Sequence, residues 1–169
     1  MPDTTHVIIG AALAGAKAAE ALREEGFDGR VVLIGSEPEL PYERPPLSKE
    51  YLRGEQPREK ARVHDEGFYE SHDIELRTGT TATAIDTSAS EVELDGGERQ
   101  GYDRLLLATG AEPRRLSVPG ADLDGVHYLR TLADSDRLKA DLTPGGRRVV
   151  VVGAGWIGME VAAAARSWS

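Results

Sequence analysis

"VIIGAALAGAKAAEAL", residues 7–22, decides how the rest of the chain is read. A short apolar run leads into a glycine turn and then into an alanine-rich stretch with helical spacing, and Val31 to Ile34 supply a second apolar run soon afterwards. Strand, turn, helix and strand in close succession form the unit in which the spacing G-x-G-x-x-G has physical meaning. The first glycine makes the tight turn, the second lets a pyrophosphate approach the backbone, and the third lets helix and strand pack closely. Here the spacing reads Gly10-Ala11-Ala12-Leu13-Ala14-Gly15. Ala12 stands where the middle glycine belongs, which adds a methyl group at the crowded position and, if its backbone sits at positive φ, a conformational cost. Weakened nucleotide binding is the expected result.

Working outward, residues 6–9 read as a buried parallel strand, 13–25 as a helix stopped by Gly26, and 31–34 as the second strand. The proline-punctuated stretch 35–55 reads as an ordered loop ending in a short helix near 48–52, and another short helix is expected over 66–71. From 74 to 107 short strands alternate (IELRT, ATAID, EVEL, YDRLLLA) with Gly96-Gly97 as a hairpin turn, the pattern of an antiparallel β-meander returning to the main sheet. A helix over 133–142, ended by Pro144-Gly145-Gly146, precedes "RRVVVVGAGWIGMEVAAAA" (147–165), where the fingerprint recurs complete as Gly153, Gly155 and Gly158. A strand over 148–152 and a helix behind it are expected there.

With 169 residues, 40% of them hydrophobic, the chain is long enough for one ordinary domain with a core and too short for two complete nucleotide-binding domains. A net charge of -9 argues against nucleic-acid and membrane-surface partners. Zero cysteines exclude a dithiol redox pair, thiolate metal sites and disulfides. With neither a basic, apolar leader nor a run of about 18 apolar residues, a cytoplasmic location is the expectation. His6, His64, His72 and His127 lack metal-ligand spacing and read as structural or surface residues.

An acid about 20 positions beyond the glycines grips a ribose hydroxyl at the end of the second strand. Ser36 and Glu37 occupy that place; Glu37 is the candidate, Ser36 offers only a neutral hydrogen bond, and Glu37 as an ordinary solvated acid stays open. The corresponding acid of the second fingerprint falls past the last residue, so NADH and NADPH are not distinguished. By spacing alone Lys49, Arg44 and Arg130 are loop cations as readily as site residues, and Glu160 is a first-turn acid suited to a helix dipole.

Four segments in order, "LPYERPPLSKEYLRGE" (40–55), "YDRLLLATGAEPRRL" (102–116), "YLRTLADSDRL" (128–138) and "VVVVGAGWIGMEVAAAA" (149–165), closely resemble the FAD-dependent ferredoxin reductases of oxygenase and cytochrome P450 systems. Putidaredoxin and rubredoxin reductases are similar members of this pyridine nucleotide-disulfide oxidoreductase superfamily. The resemblance implies an α/β fold: a Rossmann-like FAD-binding domain with a parallel sheet and an antiparallel β-meander (1–115), a connecting segment (116–146), and the first βα unit of a nicotinamide-binding domain (147–169). It implies an FAD site lined by Gly10, Ala12, Ala14, Gly15, Glu37 or Ser36, Arg44, Lys49, Ala82 and Arg130, closed by Ala108, Thr109 and Gly110. Gly153, Gly155, Ile157, Gly158 and Glu160 would begin the NAD(P)H site. Lys49 and Glu160 resemble the lysine and glutamate that meet beside the flavin, and are expected within roughly 4 Å of each other.

The chemistry so implied is ferredoxin–NAD(P) reductase activity: hydride transfer from NAD(P)H to flavin, then single-electron delivery to a ferredoxin- or rubredoxin-type iron–sulfur protein. Related disulfide reductases carry a cysteine pair that "RPPLSKEYL" lacks, so electrons would leave through the flavin itself. Complete members run to well over twice this length, and the chain reads as their N-terminal portion, ending one helix into the nicotinamide domain, where no pocket closes around a nicotinamide. The alternative is a catalytically silent, apo, Rossmann-like binding or oligomerisation module. A flavin monooxygenase would fit the fingerprints but not the "PPLSK" segment. With Trp156, Ile157, Val161 and Ala162 on its helix, 148–165 is expected to be buried by homodimer formation or by packing back on the chain.

Overall fold

The computed structural model describes residues 4–168. Of these, residues 4–42 with 62–110 form one compact unit, and 43–61 with 111–168 form a second. The first unit holds every strand among the described residues. Its parallel sheet has the order β3-β2-β1-β7, built from β1 (Thr5–Ile9), β2 (Arg30–Ile34), β3 (Ile74–Arg77) and β7 (Arg104–Leu107). Helix α1 (Leu13–Glu24) makes the crossover from β1 to β2, and the short α2 (Phe68–Ser71) leads into β3. An antiparallel sheet β4-β5-β6 follows, with β4 at Ala82–Asp86, β5 at Glu91–Leu94 and β6 at Arg99–Gly101. The chain then returns as β7 beside β1, with Val7 opposite both Val32 and Leu105.

Side-chain alternation along the strands divides the core into two faces. Ile8, Val31, Leu33 and Ile74 pack with Ala16 and Ala19 of α1 and Tyr69 of α2. Val7, Ile9, Val32 and Ile34 point the other way, onto Val92 and Leu94 of β5. Covering a parallel sheet on both faces is what its continuous apolar strands require. Gly96 and Gly97, at φ +85° and +84°, make the tight turn between β5 and β6 that the Gly-Gly pair predicts.

The structure corrects four local readings. Strand β6 went unread because Arg99-Gln100-Gly101 has no apolar alternation; it exists by pairing with β5. The helix expected at 66–71 is reduced to Phe68–Ser71, starting after Gly67 at φ +92°. The helix expected near 48–52 is a 3₁₀ turn over Pro45–Ser48 followed by further turns, with Lys49 leaving helical geometry at φ −126°, ψ −115°. Residues 148–152 form no strand: the second unit offers them no strand to pair with among its described residues, and Val150 and Val152 are 86% and 72% exposed.

The second unit is built on α3 (Leu132–Leu142) and α4 (Trp156–Ala165). Thr131 and Asp134 form a capping box that starts α3. Leu52, Leu138, Leu142 and Ala164 make its core, edged by Val161 and Trp168. The fully buried Ser135 donates its hydroxyl to the Leu47 carbonyl at 2.8 Å. Asp136 accepts from the Tyr51 hydroxyl at 2.6 Å and from Arg58 at 2.5 Å. Segment 43–61 is thereby fastened to α3 within the second unit.

One titration should be visible in the first unit. His64 is stacked on Phe68 with ring centroids 3.7 Å apart and lies 3.5 Å from Glu20 Oε2. Lys17 of α1, Tyr69 of α2 and His72 just after α2 also face it. Burial pushes its pKa below the ordinary value despite Glu20. The neutral imidazole therefore contributes stability that is complete above the unfolded value of about 6.5 and is lost as pH falls from there through the depressed folded value. Melting temperature should decline from pH 7 towards pH 5, and His64→Phe should flatten that decline; an identical slope in the variant would remove His64 as its source.

Candidate functional site

In the first unit the glycine turn connects β1 to α1. Gly10 sits at φ +115°, where L side chains are strained, and an added Cβ would come 2.2 Å from the Ala108 carbonyl oxygen. A Cβ on Gly15 would come 2.0 Å from the carbonyl oxygen of Gly10, the close helix–strand approach expected of the third glycine. The Gly10 N–H donates to the Ile34 carbonyl at 2.7 Å, and Ala108 N–H donates to Ile9 at 2.7 Å. Ala108, Thr109 and Gly110 thus leave β7 directly across the glycine turn.

Ala12 corrects the expectation of backbone strain. It lies at φ −114°, ψ −163°, extended backbone open to any residue, so only its methyl group distinguishes it from glycine. No side chain caps α1 at this residue, and the N–H groups of its first turn, with the helix dipole behind them, form the setting in which helix N-termini hold phosphate. Ala14 is exposed on that turn.

At the end of β2, Gly35 comes so close to the turn that a Cβ would sit 2.5 Å from the Cβ of Ala11. Ser36 is exposed and Glu37 half-buried, its carboxylate accepting a hydrogen bond from the Tyr42 hydroxyl. Ala82 opens β4 and packs against the core face that carries Val92 and Leu94. Gly35 and Tyr42 were not singled out in the sequence. The close approach at Gly35 depends on where the ends of β1 and β2 meet, and the Tyr42–Glu37 bond on how the intervening loop folds.

The second unit repeats the turn. Gly153 has φ +108°, and a Cβ on Gly158 would come 2.1 Å from the Gly153 carbonyl oxygen. Gly155 is extended at φ −78°, ψ 178°, again without a side-chain cap on the following helix. Trp156 and Ile157 are exposed at the start of α4. Arg44 and Arg130 are brought together, the Arg44 guanidinium donating to the Arg130 carbonyl.

Lys49 Nζ lies 3.3 Å from Glu160 Oε1, and the Ser48 hydroxyl donates to Glu160 Oε2 at 2.5 Å. The expected pair is therefore present, with a third member, Ser48, that sequence spacing did not suggest. The Ser48 hydrogen bond, followed by Lys49, holds the Glu160 carboxyl below its usual range against the opposing effect of burial. The stabilisation is complete above the ordinary glutamate value of about 4.3 and is lost as pH falls through the lowered folded value. Carboxyl NMR titration should show both Ser48→Ala and Lys49→Met raising the Glu160 pKa; a value unchanged in both variants would remove these two partners as the cause.

Comparison with known proteins gives this geometry its setting. Rhodocoxin reductase of Rhodococcus erythropolis is 48% identical over 160 residues, covering 95% of this chain and 37% of that protein. The ferredoxin–NAD(+) reductase component of the biphenyl dioxygenase system of Paraburkholderia xenovorans is 46% identical, over 98% of this chain and 40% of that protein. Among solved structures, the covalent putidaredoxin reductase–putidaredoxin complex matches with a TM-score of 0.91 at 38% identity, covering 98% of this chain and 40% of that one. NADH:rubredoxin oxidoreductase from Clostridium acetobutylicum matches with a TM-score of 0.87 at 30% identity, covering 98% and 42%. The chain thus spans about two fifths of the length of such relatives. The family model described as pyridine nucleotide-disulphide oxidoreductase matches residues 4–169, and no cysteine of this chain is available for the disulphide in that name. With its parallel sheet, crossing helix and doubled glycine turn, this chain belongs to the pyridine nucleotide-disulphide oxidoreductase family.

Proposed function

We propose that this chain is part of a ferredoxin–NAD(P) reductase, holding FAD through its first glycine turn and beginning an NAD(P)H site at its second. The observation that carries this reading is the doubled turn: Gly10 with Gly15 and Gly153 with Gly158 share positive φ at the first glycine and contact-distance approach at the last. Two such turns fit two dinucleotides. At the first, the uncapped N–H groups of α1 face a pyrophosphate, Glu37 accepts from the adenosine ribose, and Ala108 to Gly110 close over the turn. At the second, Gly155, Ile157 and Gly158 leave backbone accessible to a pyrophosphate. Lys49 presents its ammonium to flavin, and Glu160, fixed by Ser48, keeps that ammonium in place and bounds the nicotinamide. Arg44 and Arg130 are proposed as further FAD contacts, and Ala82 as part of the wall. A bound flavin would supply the conversion of hydride transfer into single-electron steps.

The electron acceptor in this reading is a ferredoxin- or rubredoxin-type protein, with neither nucleic acid nor membrane as a partner and with a cytoplasmic setting. No helix among the described residues is long and apolar enough to cross a membrane. Exposed Val150, Val152 and Trp156, the last 88% exposed, favour a second reading in which the isolated chain associates through 148–165. Two measurements test these readings. The purified chain should be mostly colourless and should bind added FAD reversibly, seen as a saturable perturbation of the flavin bands near roughly 370 and 450 nm; failure of FAD to bind would favour the silent module. Light scattering should give a dimer with 148–165 protected from hydrogen exchange; a monomer in which that segment exchanges freely would end the association reading.

A further inference from the structure

We propose that Tyr42 is a positioning residue for the nucleotide ribose, acting through Glu37; the inference rests on the reading of Glu37 as the ribose acceptor. After β2 the chain is clamped to the end of β3: Gly35 N–H donates to Arg77, Thr80 N–H to Gly35 and Gly79 N–H to Glu37, each at 2.9 Å. That fixes the Glu37 backbone but leaves its carboxylate on rotatable bonds. Tyr42 restrains that carboxylate through its hydroxyl. Its ring is only 3% exposed, and its backbone is held by a bridge to Arg62 and by the Val63 N–H donating to Pro41 at 2.9 Å. A buried phenol hydroxyl needs a partner, and here the partner is Glu37 Oε2.

This arrangement suits ribose recognition for two reasons. A carboxylate has about four acceptor positions on its two oxygens, so accepting from one phenol does not exhaust it. Fixing the side chain before the ligand arrives removes part of the ordering cost that binding would otherwise carry. Tyr42 itself is not proposed to touch the nucleotide. It lies in the loop before the "ERPPLSK" segment, and its effect is confined to where Glu37 holds its oxygens.

The experiment compares FAD with an analogue lacking the 2′-hydroxyl of the adenosine ribose, and a second lacking the 3′-hydroxyl, by equilibrium titration of the wild-type chain, Tyr42→Phe and Glu37→Gln. Wild type should prefer FAD over at least one analogue by about tenfold or more, as for a hydrogen bond to a charged acceptor. Tyr42→Phe should weaken FAD by about fivefold, leave that analogue within about twofold, and so shrink the preference, with the melting curve little changed. Glu37→Gln should lose the preference. Tyr42→Phe keeping the full preference, or weakening FAD and analogue equally, would overturn the inference while leaving Glu37 as the ribose acceptor. Glu37→Gln keeping the wild-type preference, or wild type showing none, would instead overturn the underlying reading, and the inference with it.

Discussion

Gly15→Ala should destabilise the first unit by about 3 kcal/mol and abolish measurable FAD binding, although glycine to alanine inside a helix ordinarily gains about 1 kcal/mol. The sign is reversed by contact. The new Cβ would stand 2.0 Å from the carbonyl oxygen of Gly10, and Gly10 cannot retreat because its N–H is bound to Ile34 and the Ala108 carbonyl lies on its other side. Relief would come only by lifting α1 from the sheet, which would expose Ala16 and Ala19. Gly158→Ala meets the Gly153 carbonyl at a similar 2.1 Å, yet should cost about 1 kcal/mol or less, since the segment before Gly153 is held by no strand ladder and can yield. Denaturant unfolding of both variants checks the contrast; equal costs would mean that the two turns are equally rigid.

Arg23→Ala carries the second large effect, about 3 kcal/mol, and Arg23→Lys should recover less than half of it. The guanidinium satisfies four carbonyls at once: Phe27 at 2.7 Å, Gly29 at 2.8 Å, His72 at 2.9 Å and Asp73 at 2.6 Å. Those groups belong to the turn after α1 and the turn before β3, so one planar fork ties together two connections far apart in sequence. A half-buried carbonyl left without its donor, as at Phe27 and Gly29, loses more than one fully open to water, and an ammonium cannot reach all four. Two of the bonds are exposed, which keeps the expected loss well below four full charged hydrogen bonds. Faster hydrogen exchange at Ile74–Arg77 should accompany the loss; an unchanged midpoint would show that water replaces the arginine.

The parts of the fold that were legible in the sequence are those whose signal is local. The βαβ opening, the Gly96-Gly97 turn and the α3 helix each follow from periodicity or turn chemistry within a dozen residues. Strand β6 was missed because its pairing, not its composition, makes it a strand. The strand over 148–152 failed for the opposite reason: four consecutive valines have every local preference for extended pairing, but pairing needs a neighbour. Within the site, the glycines could be placed from their spacing, whereas Ser48 beside Glu160, Tyr42 beside Glu37 and Arg44 against Arg130 join residues through loops that spacing does not describe. The Lys49–Glu160 pair was legible only through resemblance, since 111 positions separate the two residues.

The central claim, that the Gly10–Gly15 turn is a dinucleotide site, is tested most directly by equilibrium titration of the chain with FAD and with riboflavin, each followed by flavin fluorescence. A site built from a helix N-terminus and a ribose acceptor recognises the pyrophosphate and adenosine, which riboflavin lacks. FAD should therefore bind saturably and at least about tenfold more tightly than riboflavin, with ADP competing. Riboflavin binding as tightly as FAD, or no saturable FAD binding at all, would contradict the account.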